Sequence, residues 1–245
     1  MTITITIIIP AYNESQRISR TLFEIDAYIT KTSSQNQIKV ITVDDGSIDN
    51  TENVVKNWIK DRCINKQCFE TISYLPNHGK GYAVREGFLK AESDVVLYTD
   101  ADGACSINEL EKLMLWLDRG FDITCGSRIL KDDISEVKMS FKRRLSGLVF
   151  HSILKVFGLA SLKDTQCGFK AFKKEVYKKL ANMQKCFNYS FDIEYLFLAM
   201  KMGYKIKEVP VNWYHVEGSK VSLVRDSIKM LIEVLKIRFV YKYNV

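Results

Sequence analysis

Two carboxylates stand one residue apart directly after an apolar run of the chain. The stretch reads VVLYTDADGACS, in which Asp100 and Asp102 follow residues 95–99 and precede Gly103. If the backbone stays extended, both side chains point to the same side, because side chains alternate along a strand. Such hard oxygen ligands suit Mg²⁺ or Mn²⁺, which keep water and accept phosphate oxygens as further ligands. The pair therefore indicates a metal that holds a diphosphate leaving group, and Gly103 would let a ligand approach the backbone.

The same residues support a second interpretation. An apolar run followed by DxDG also resembles the nucleophile motif of haloacid-dehalogenase-type phosphatases, in which the first Asp attacks phosphate. In those enzymes the motif follows the first strand of the core and ends in Thr or Val, whereas here it follows several strand–helix units and ends in Ala104. A phosphate-ester hydrolase and an acidic turn without any ligand therefore stay open from this stretch alone.

Strand-like and helix-like patterns alternate through the front half of the chain. Strands are predicted at 4–10, 38–47, 71–76, 94–99 and 121–127, and helices at 14–30, 50–60, 80–91 and 106–118. This order is typical of a Rossmann-like α/β fold, with a mostly parallel sheet and helices on both faces. Ligands of such sheets bind beyond the carboxyl ends of the strands, where the polar clusters of this chain occur.

The pattern changes after residue 130. Residues 138–160 predict a helix that is basic at its start, 203–216 predict two short strands about Pro210, and 222–243 predict a long amphipathic helix. No run reaches the ~20 apolar residues that span a bilayer. We therefore expect a chain that can lie on a membrane surface without crossing it.

The net charge of +7 is distributed unevenly along the chain. Residues 1–137 carry 15 Lys and Arg against 21 Asp and Glu, residues 138–179 carry 11 against 2, and residues 180–245 carry 10 against 6. The basic back half indicates an anionic partner, for which nucleic acid, a phosphorylated lipid and an anionic membrane all qualify. A solvated lysine-rich face is the simpler alternative.

Several longer motifs carry a resemblance to a known family. IIPAYNES at 8–15, VDDGSIDNT at 43–51, NHGKGYAVREG at 77–87 and YTDADGA at 98–104 occur in the order found in family 2 glycosyltransferases with the GT-A fold. The back-half motifs are narrower, and they resemble the dolichyl-phosphate β-glucosyltransferases: DTQCGFKAF at 164–172, FDIEYL at 191–196 and VPVNWYHVEGSKV at 209–221. The related mannose synthases usually read DADxQ. Ala104 occupies the place of that Gln, which favours the glucosyl branch.

The resemblance implies an inverting, metal-dependent hexosyltransferase that moves a hexose, in the first place glucose, from a UDP-sugar to a polyprenyl (dolichyl-type) phosphate. A mannose-transferring relative and a nucleotide-sugar-binding module without turnover stay open beside it. Asp100 and Asp102 would hold the metal, Mg²⁺ or Mn²⁺. The implied nucleotide site comprises Pro10, Ala11, Tyr12, Glu14, Asp44 or Asp45, Lys80, Asp100 and Ala101.

The reacting centre is expected to combine these acids with residues of the back half. Its candidate catalytic residues are Asp100, Asp102, Arg128, Asp164 and Asp192. Positive charge must also receive the acceptor phosphate, and the candidates for that are Arg128, Arg143, Arg144 and Lys220. As alternatives, Asp164 could cap a turn, and Asp192 could pair with a basic neighbour.

The chain is expected to divide into a nucleotide-sugar-binding half (1–137), an acceptor-binding half of the same domain (138–222) and a basic amphipathic helix (223–245). The expected partners are the UDP-sugar, the lipid phosphate and a membrane surface, with no nucleic acid; a homodimer is left open. Six cysteines without a CxxC pair, and no signal peptide, predict a cytosolic location. The eukaryotic glucosyltransferases carry an amino-terminal membrane anchor, whereas a strand starts at once here, so we expect peripheral attachment at the cytosolic face.

Overall fold

A seven-stranded sheet forms the centre of the molecule. The computed structural model describes residues 3–32, 37–131, 135–138, 152, 154–155, 157–158, 162–216 and 225–243. The strands are β1 (Thr4–Ala11), β2 (Gln37–Asp45), β3 (Phe69–Tyr74), β4 (Val95–Thr99), β5 (Ile123–Ser127), β6 (Val137–Lys138), β7 (Phe169–Lys173), β8 (Ile206–Pro210) and β9 (Trp213–Tyr214). The order in the main sheet is β3-β2-β1-β4-β7-β5-β8, and β6 pairs with β9 in a separate ladder.

Helices cover both faces of this sheet. They are α1 (Ile18–Thr32), α2 (Thr51–Asp61), α3 (Lys80–Lys90), α4 (Leu110–Asp118), α5 (Lys174–Met183), α6 (Phe191–Lys201) and α7 (Arg225–Leu235), which continues into a π-helical turn (Lys236–Val240). Short 3₁₀ turns lie at Lys66–Cys68 and Ile107–Glu109. The first core cluster contains side chains of α1, α2 and α4, and the second contains side chains of α3, α5, α6 and α7. The Rossmann-like α/β architecture predicted from the sequence is confirmed.

The sheet contains one strand that the sequence did not predict. β7 lies antiparallel between β4 and β5, whereas β1–β2, β1–β4, β2–β3 and β5–β8 all pair in parallel. The stretch FKAFK is buried on both faces, and its Lys170 is only 1% exposed, so it shows neither alternation nor an apolar run. This insertion carries the preceding residues 164–168 to the carboxyl end of β4.

The carboxyl-terminal helix α7 has two different apolar faces. Met230, Val234 and Ile237 are buried in the second core cluster. Ile228 and Ile232 on the other side are 57% and 49% exposed. The predicted amphipathic helix therefore packs its inner face on the core while an apolar outer face stays at the surface. Within the described ranges, no helix is both long and apolar enough to cross a membrane.

This packing can be tested with two isoleucines, one buried and one exposed. Ile237→Ala should lower the free energy of unfolding by about 2–5 kcal/mol, because Ile237 is 1% exposed and its loss leaves a cavity. Ile232→Ala, at 49% exposure, should change it by about 0.5 kcal/mol or less. Urea unfolding followed by circular dichroism measures both; equal effects would contradict the assignment of the two faces.

Candidate active site

The loops that follow β1 and β2 are bonded to each other at the carboxyl edge of the sheet. The backbone N–H of Asn13 donates to Ser47 Oγ at 2.8 Å, and Asn13 Oδ1 accepts from the backbone N–H of Ile48 at 2.9 Å. Asn13 has a positive φ of 54°, a conformation that Asn tolerates better than most residues. The backbone N–H of Glu14 donates to Thr51 Oγ1 at 2.8 Å. The two loops therefore form one fixed wall beside the ends of the strands.

The residues expected at the nucleotide lie along this wall. Pro10 and Ala11 end β1 and are buried, whereas Tyr12 is partly open to solvent. The buried carboxylate of Glu14 is paired with Arg17 at 2.5 Å. Glu14 therefore borders the expected nucleotide site, and its ion pair with Arg17 also holds the loop in place.

Asp44 and Asp45 are both buried at the end of β2, yet they have different partners. Asp44 Oδ1 accepts from the backbone N–H of Ser47 at 3.0 Å. Asp45 accepts from the side chain of Asn77 at 2.7 Å and from the backbone N–H groups of His78 and Gly79 at 2.9 and 2.8 Å. Burial raises the pKa of both carboxyl groups, although these hydrogen bonds oppose the rise. Asp45 thus holds the loop that leads into α3.

The carboxylate pair lies in a turn and not in an extended strand, because β4 ends at Thr99. Asp102 Oδ1 accepts from the backbone N–H of Ala104 at 3.0 Å, and Gly103 between them has a φ of 66°. Asp100 pairs with Lys80 Nζ at 2.6 Å. Burial, and then the charge of Asp100, raise the pKa of Asp102. The turn thus concentrates negative charge that a cation would relieve.

Gly168 fixes the position of the first carboxylate. A Cβ atom at residue 168 would stand 2.2 Å from Asp100 Oδ2. The backbone N–H of Asp100 also donates to the carbonyl oxygen of Gly168 at 3.2 Å. Behind the pair, the carbonyl oxygen of Ala101 accepts from Thr21 Oγ1 at 2.8 Å. Only glycine at 168 leaves room for the Asp100 side chain where it lies.

A buried layer of charge supports Lys80 and Asp100. Lys170 Nζ donates to Asp192 Oδ1 at 2.6 Å and to Tyr98 Oη at 3.0 Å, and the hydroxyl of Tyr98 also bonds to Asp192. Desolvation opposes the charge of Lys80, but the carboxylates of Asp100 and Asp192 outweigh it and raise the pKa of Lys80. The pairing foreseen for Asp192 as an alternative is therefore present, with Lys170 as its basic partner.

A second ion pair lies at the end of β5. The guanidinium of Arg128 contacts both oxygens of Asp164, through Nε at 2.7 Å and Nη2 at 2.8 Å. Burial alone would raise the pKa of Asp164, but the charge and hydrogen bonds of Arg128 outweigh it and lower that pKa. Glu208 accepts from the backbone N–H of Asp164 at 2.8 Å, and Trp213 lies 5.7 Å from the guanidinium carbon. Asp164 thus orients Arg128, and the turn cap foreseen as an alternative is also present, because Asp164 Oδ1 accepts from the backbone N–H of Gln166 at 3.2 Å.

Segment Trp213–Tyr214 brings the back half against the carboxylate turn. The backbone N–H of Tyr214 donates to the carbonyl oxygen of Ala104 at 2.8 Å. Trp213 forms an isolated antiparallel β-bridge with Cys105. Arg143, Arg144 and Lys220, the other candidates for the acceptor phosphate, lie outside the described residues. Sequence reasoning did not assign Lys170, Gly168 or Glu208 to the site. The only sequence signal for them was their position in or beside the family motifs. Gly168 and Lys170 lie within DTQCGFKAF, and Glu208 directly precedes VPVNWYHV.

The residues at the turn fit a divalent cation of the Mg²⁺ or Mn²⁺ type. Asp100 and Asp102 supply hard oxygen atoms, and burial together with the charge of Asp100 raises the pKa of Asp102, which a bound cation would offset. No cluster of three or more His, Cys, Asp or Glu side chains with metal-ligand geometry occurs within the described part of the chain. Such a site suits an ion that one or two carboxylates hold and that takes phosphate oxygens and water as its other ligands.

Comparison with known sequences gives a consistent result. The profile of glycosyl transferase family 2 matches residues 6–181. The chain is 34% identical over 250 residues to a dolichyl-phosphate β-glucosyltransferase of Saccharomyces cerevisiae, which covers 97% of this chain and 75% of that protein. It is 31% identical to the human dolichyl-phosphate β-glucosyltransferase, with the same coverage of 97% and 75%.

Solved structures share the fold. Glucosyl-3-phosphoglycerate synthase of Mycobacterium tuberculosis, crystallised with Mn²⁺, UDP and phosphoglyceric acid, superposes with a TM-score of 0.71 at 18% identity, over 98% of this chain and 80% of that one. Mannosyl-3-phosphoglycerate synthase of Rubrobacter xylanophilus gives a TM-score of 0.69 at 19% identity, over 96% and 72%. At these identities the likeness concerns the fold.

The contact between Gly168 and Asp100 yields a test of the site geometry. Gly168→Ala should displace the Asp100 carboxylate and lower turnover by about 100-fold, the scale of a 1 Å misplacement, with the fold retained. Gly120→Ala is the control for stability: its φ of 88° makes alanine strained there, but the Cβ atom meets nothing within 4 Å, so the folded protein should turn over normally. Steady-state kinetics and circular dichroism are the measurements, and near-normal turnover of Gly168→Ala would refute the geometry.

Proposed function

The chain belongs to glycosyl transferase family 2, and from that premise we propose that it transfers glucose from UDP-glucose to dolichyl phosphate or a related polyprenyl phosphate. The arrangement of Asp100, Asp102 and Lys80 at the carboxyl end of β4 is the observation that carries the chemistry. The names of the curated relatives, similar over nearly the whole chain, support the choice of sugar and acceptor.

The donor side requires stabilisation of a departing diphosphate. Asp102 and Asp100 would hold Mg²⁺ or Mn²⁺, and the ion when bound would supply Lewis-acid stabilisation of the leaving group. Lys80 is kept protonated by Asp100 and Asp192, so its ammonium can donate to a phosphate oxygen. Asp44, Asp45 and the wall after β1 would hold the nucleoside.

The acceptor side requires positive charge more than a base. A phosphomonoester has a second pKa of about 6, so the lipid phosphate is already anionic near neutral pH and can attack directly. Arg128, held by both oxygens of Asp164, presents a pre-oriented guanidinium beside Trp213. We propose that Arg143, Arg144 and Lys220 add to this charge. A single displacement would invert the sugar and give a β-linked product from an α-linked donor.

The place of action follows from the acceptor. A polyprenyl phosphate resides in a bilayer, so we propose that the chain works as a peripheral protein at the cytosolic face of a membrane. A phosphate-ester hydrolase remains distinguishable by its product, inorganic phosphate. No feature of the described site favours it over glycosyl transfer, and the curated relatives are glucosyltransferases.

Removal of one carboxylate charge tests the donor side. Asp102→Asn should keep the fold and lower UDP release from UDP-glucose with Mn²⁺ and a short-chain prenyl phosphate by at least about 100-fold, the scale of one lost electrostatic stabiliser. Asp118→Asn, at an exposed helix end, is the matched control and should turn over normally. Chelation of the metal should abolish release by the wild type. Activity that survives both the Asp102→Asn change and chelation would exclude the metal role.

Charge reversal in the basic segment tests the acceptor side. Arg143→Glu with Arg144→Glu should raise the KM for prenyl phosphate more than the KM for UDP-glucose, because these residues lie near the start of the most basic segment of the chain, 138–179. The control reverses Lys60 and Arg62, which lie at the far end of α2. Initial-rate kinetics with each substrate varied separates the two constants. Equal shifts in both would remove Arg143 and Arg144 from acceptor binding.

A further inference from the structure

The outer face of α7 and of the π turn exposes a row of apolar side chains. Exposed positions recur at a spacing of three to four residues, which places them on one side of the helix. We name this row the outer stripe; its members are Ile228, Ile232, Leu235 and Phe239. The inner face packs on the core through Met230, Val234 and Ile237. Phe239 also meets the ring of Phe157 edge-on at 6.2 Å between centroids but stays 69% exposed, so most of the stripe's surface is open to a partner.

Basic side chains accompany the outer stripe. Those that are exposed and described are Lys229, Lys236, Arg238 and Lys242. Of the two acids on the segment, Glu233 accepts a hydrogen bond from Asn188 at 3.2 Å and so faces the body of the protein, and the side chain of Asp226 is not among those described. The surface thus combines an apolar row with flanking positive charge.

This combination distinguishes between two kinds of partner. Lysine is depleted in protein–protein interfaces, whereas helices that lie in the plane of a membrane carry Lys and Arg beside a row of Leu, Ile and Phe. We propose that the outer stripe docks on the surface of an anionic lipid bilayer, with Phe239 among the side chains that enter it. The proposal rests on the proposed function and names the surface through which the chain reaches its lipid acceptor.

The inner face of α7 connects this surface to the candidate active site. Ser190 Oγ donates to the carbonyl oxygen of Met230 at 3.5 Å, and Gln166 Nε2 approaches Met230 Sδ at 3.8 Å. Gln166 stands two residues from Asp164, which orients Arg128, and two residues from Gly168, which seats Asp100. Docking of the stripe would therefore place the loop of residues 164–168 one helix diameter, roughly 10–12 Å, from the bilayer surface where the phosphate of a lipid lies.

Flotation of the full chain with vesicles tests the docking surface. The vesicles contain phosphatidylcholine with phosphatidylserine and no polyprenyl phosphate, so the result is independent of catalysis. Wild type should float at low salt and be released at high salt, because the Debye length falls from about 10 Å at 0.1 M to about 3 Å at 1 M. Phe239→Glu with Ile232→Glu should lose flotation. Phe23→Glu is the matched control, because Phe23 is 65% exposed against 69% for Phe239 and lies on α1, across the sheet.

Two further variants test the surface without placing charge in the stripe. Lys229→Gln with Lys236→Gln should lower the partition about 25-fold, since each basic residue contributes about fivefold near an anionic surface. Phe239→Trp should show a blue shift of its fluorescence on addition of vesicles, whereas Phe23→Trp should show none.

The outcomes separate the docking surface from the proposed function. All variants should transfer glucose to a water-soluble, short-chain prenyl phosphate at the wild-type rate. If they do so and the stripe variants float as well as wild type, or wild type does not float at low salt, the docking surface is refuted while the function stands. Binding to vesicles without any glucose transfer by wild type would refute the function and leave the surface. Capture of a protein by the stripe with no vesicle binding would also overturn the proposal.

Discussion

Carboxylate and ammonium side chains lie together beyond the end of β4, and the pairing of their charges fixes the positions of the surrounding side chains and loops. Lys80 lies against Asp100, Lys170 lies against Asp192, and the carboxyl group of Asp102 lies beside Asp100. Lys170 and Asp192 are both buried, and buried charges are stable only when they are paired and hydrogen-bonded, so removing either one would leave the other unpaired. Burial and the charge of Asp100 raise the pKa of Asp102, and that is where a cation is expected to act.

The position of β7 brings these charged side chains together. Because β7 runs antiparallel between β4 and β5, Gly168 lies against the Asp100 carboxylate, and Lys170 reaches beneath it to Asp192. The same segment starts at Asp164, whose carboxylate orients Arg128 at the end of β5. One short strand thus links the side chains proposed for the donor with those proposed for the acceptor.

Much of this arrangement could be predicted from the sequence, and the remainder has a physical reason. The apolar runs of β1, β2 and β4 are long enough to be recognised, and polar residues at their ends mark the carboxyl edge of the sheet. β7 escaped recognition because a buried lysine interrupts its apolar pattern. The pairing of Arg128 with Asp164 joins residues 36 positions apart, and spacing along the chain gives no sign of it. Whether the backbone stays extended through Asp100 and Asp102 could not be decided from the sequence, because period-two alternation does not register where a strand ends.

The anomeric configuration and the stoichiometry of the product test the central claim most directly. UDP-glucose, Mn²⁺ and a short-chain prenyl phosphate are incubated with the chain, and nuclear magnetic resonance follows the anomeric proton while UDP and inorganic phosphate are quantified. The account predicts one glucosyl prenyl phosphate in the β configuration for each UDP released, with no inorganic phosphate. Inorganic phosphate in place of a lipid-linked sugar, or an α-linked product, would contradict it.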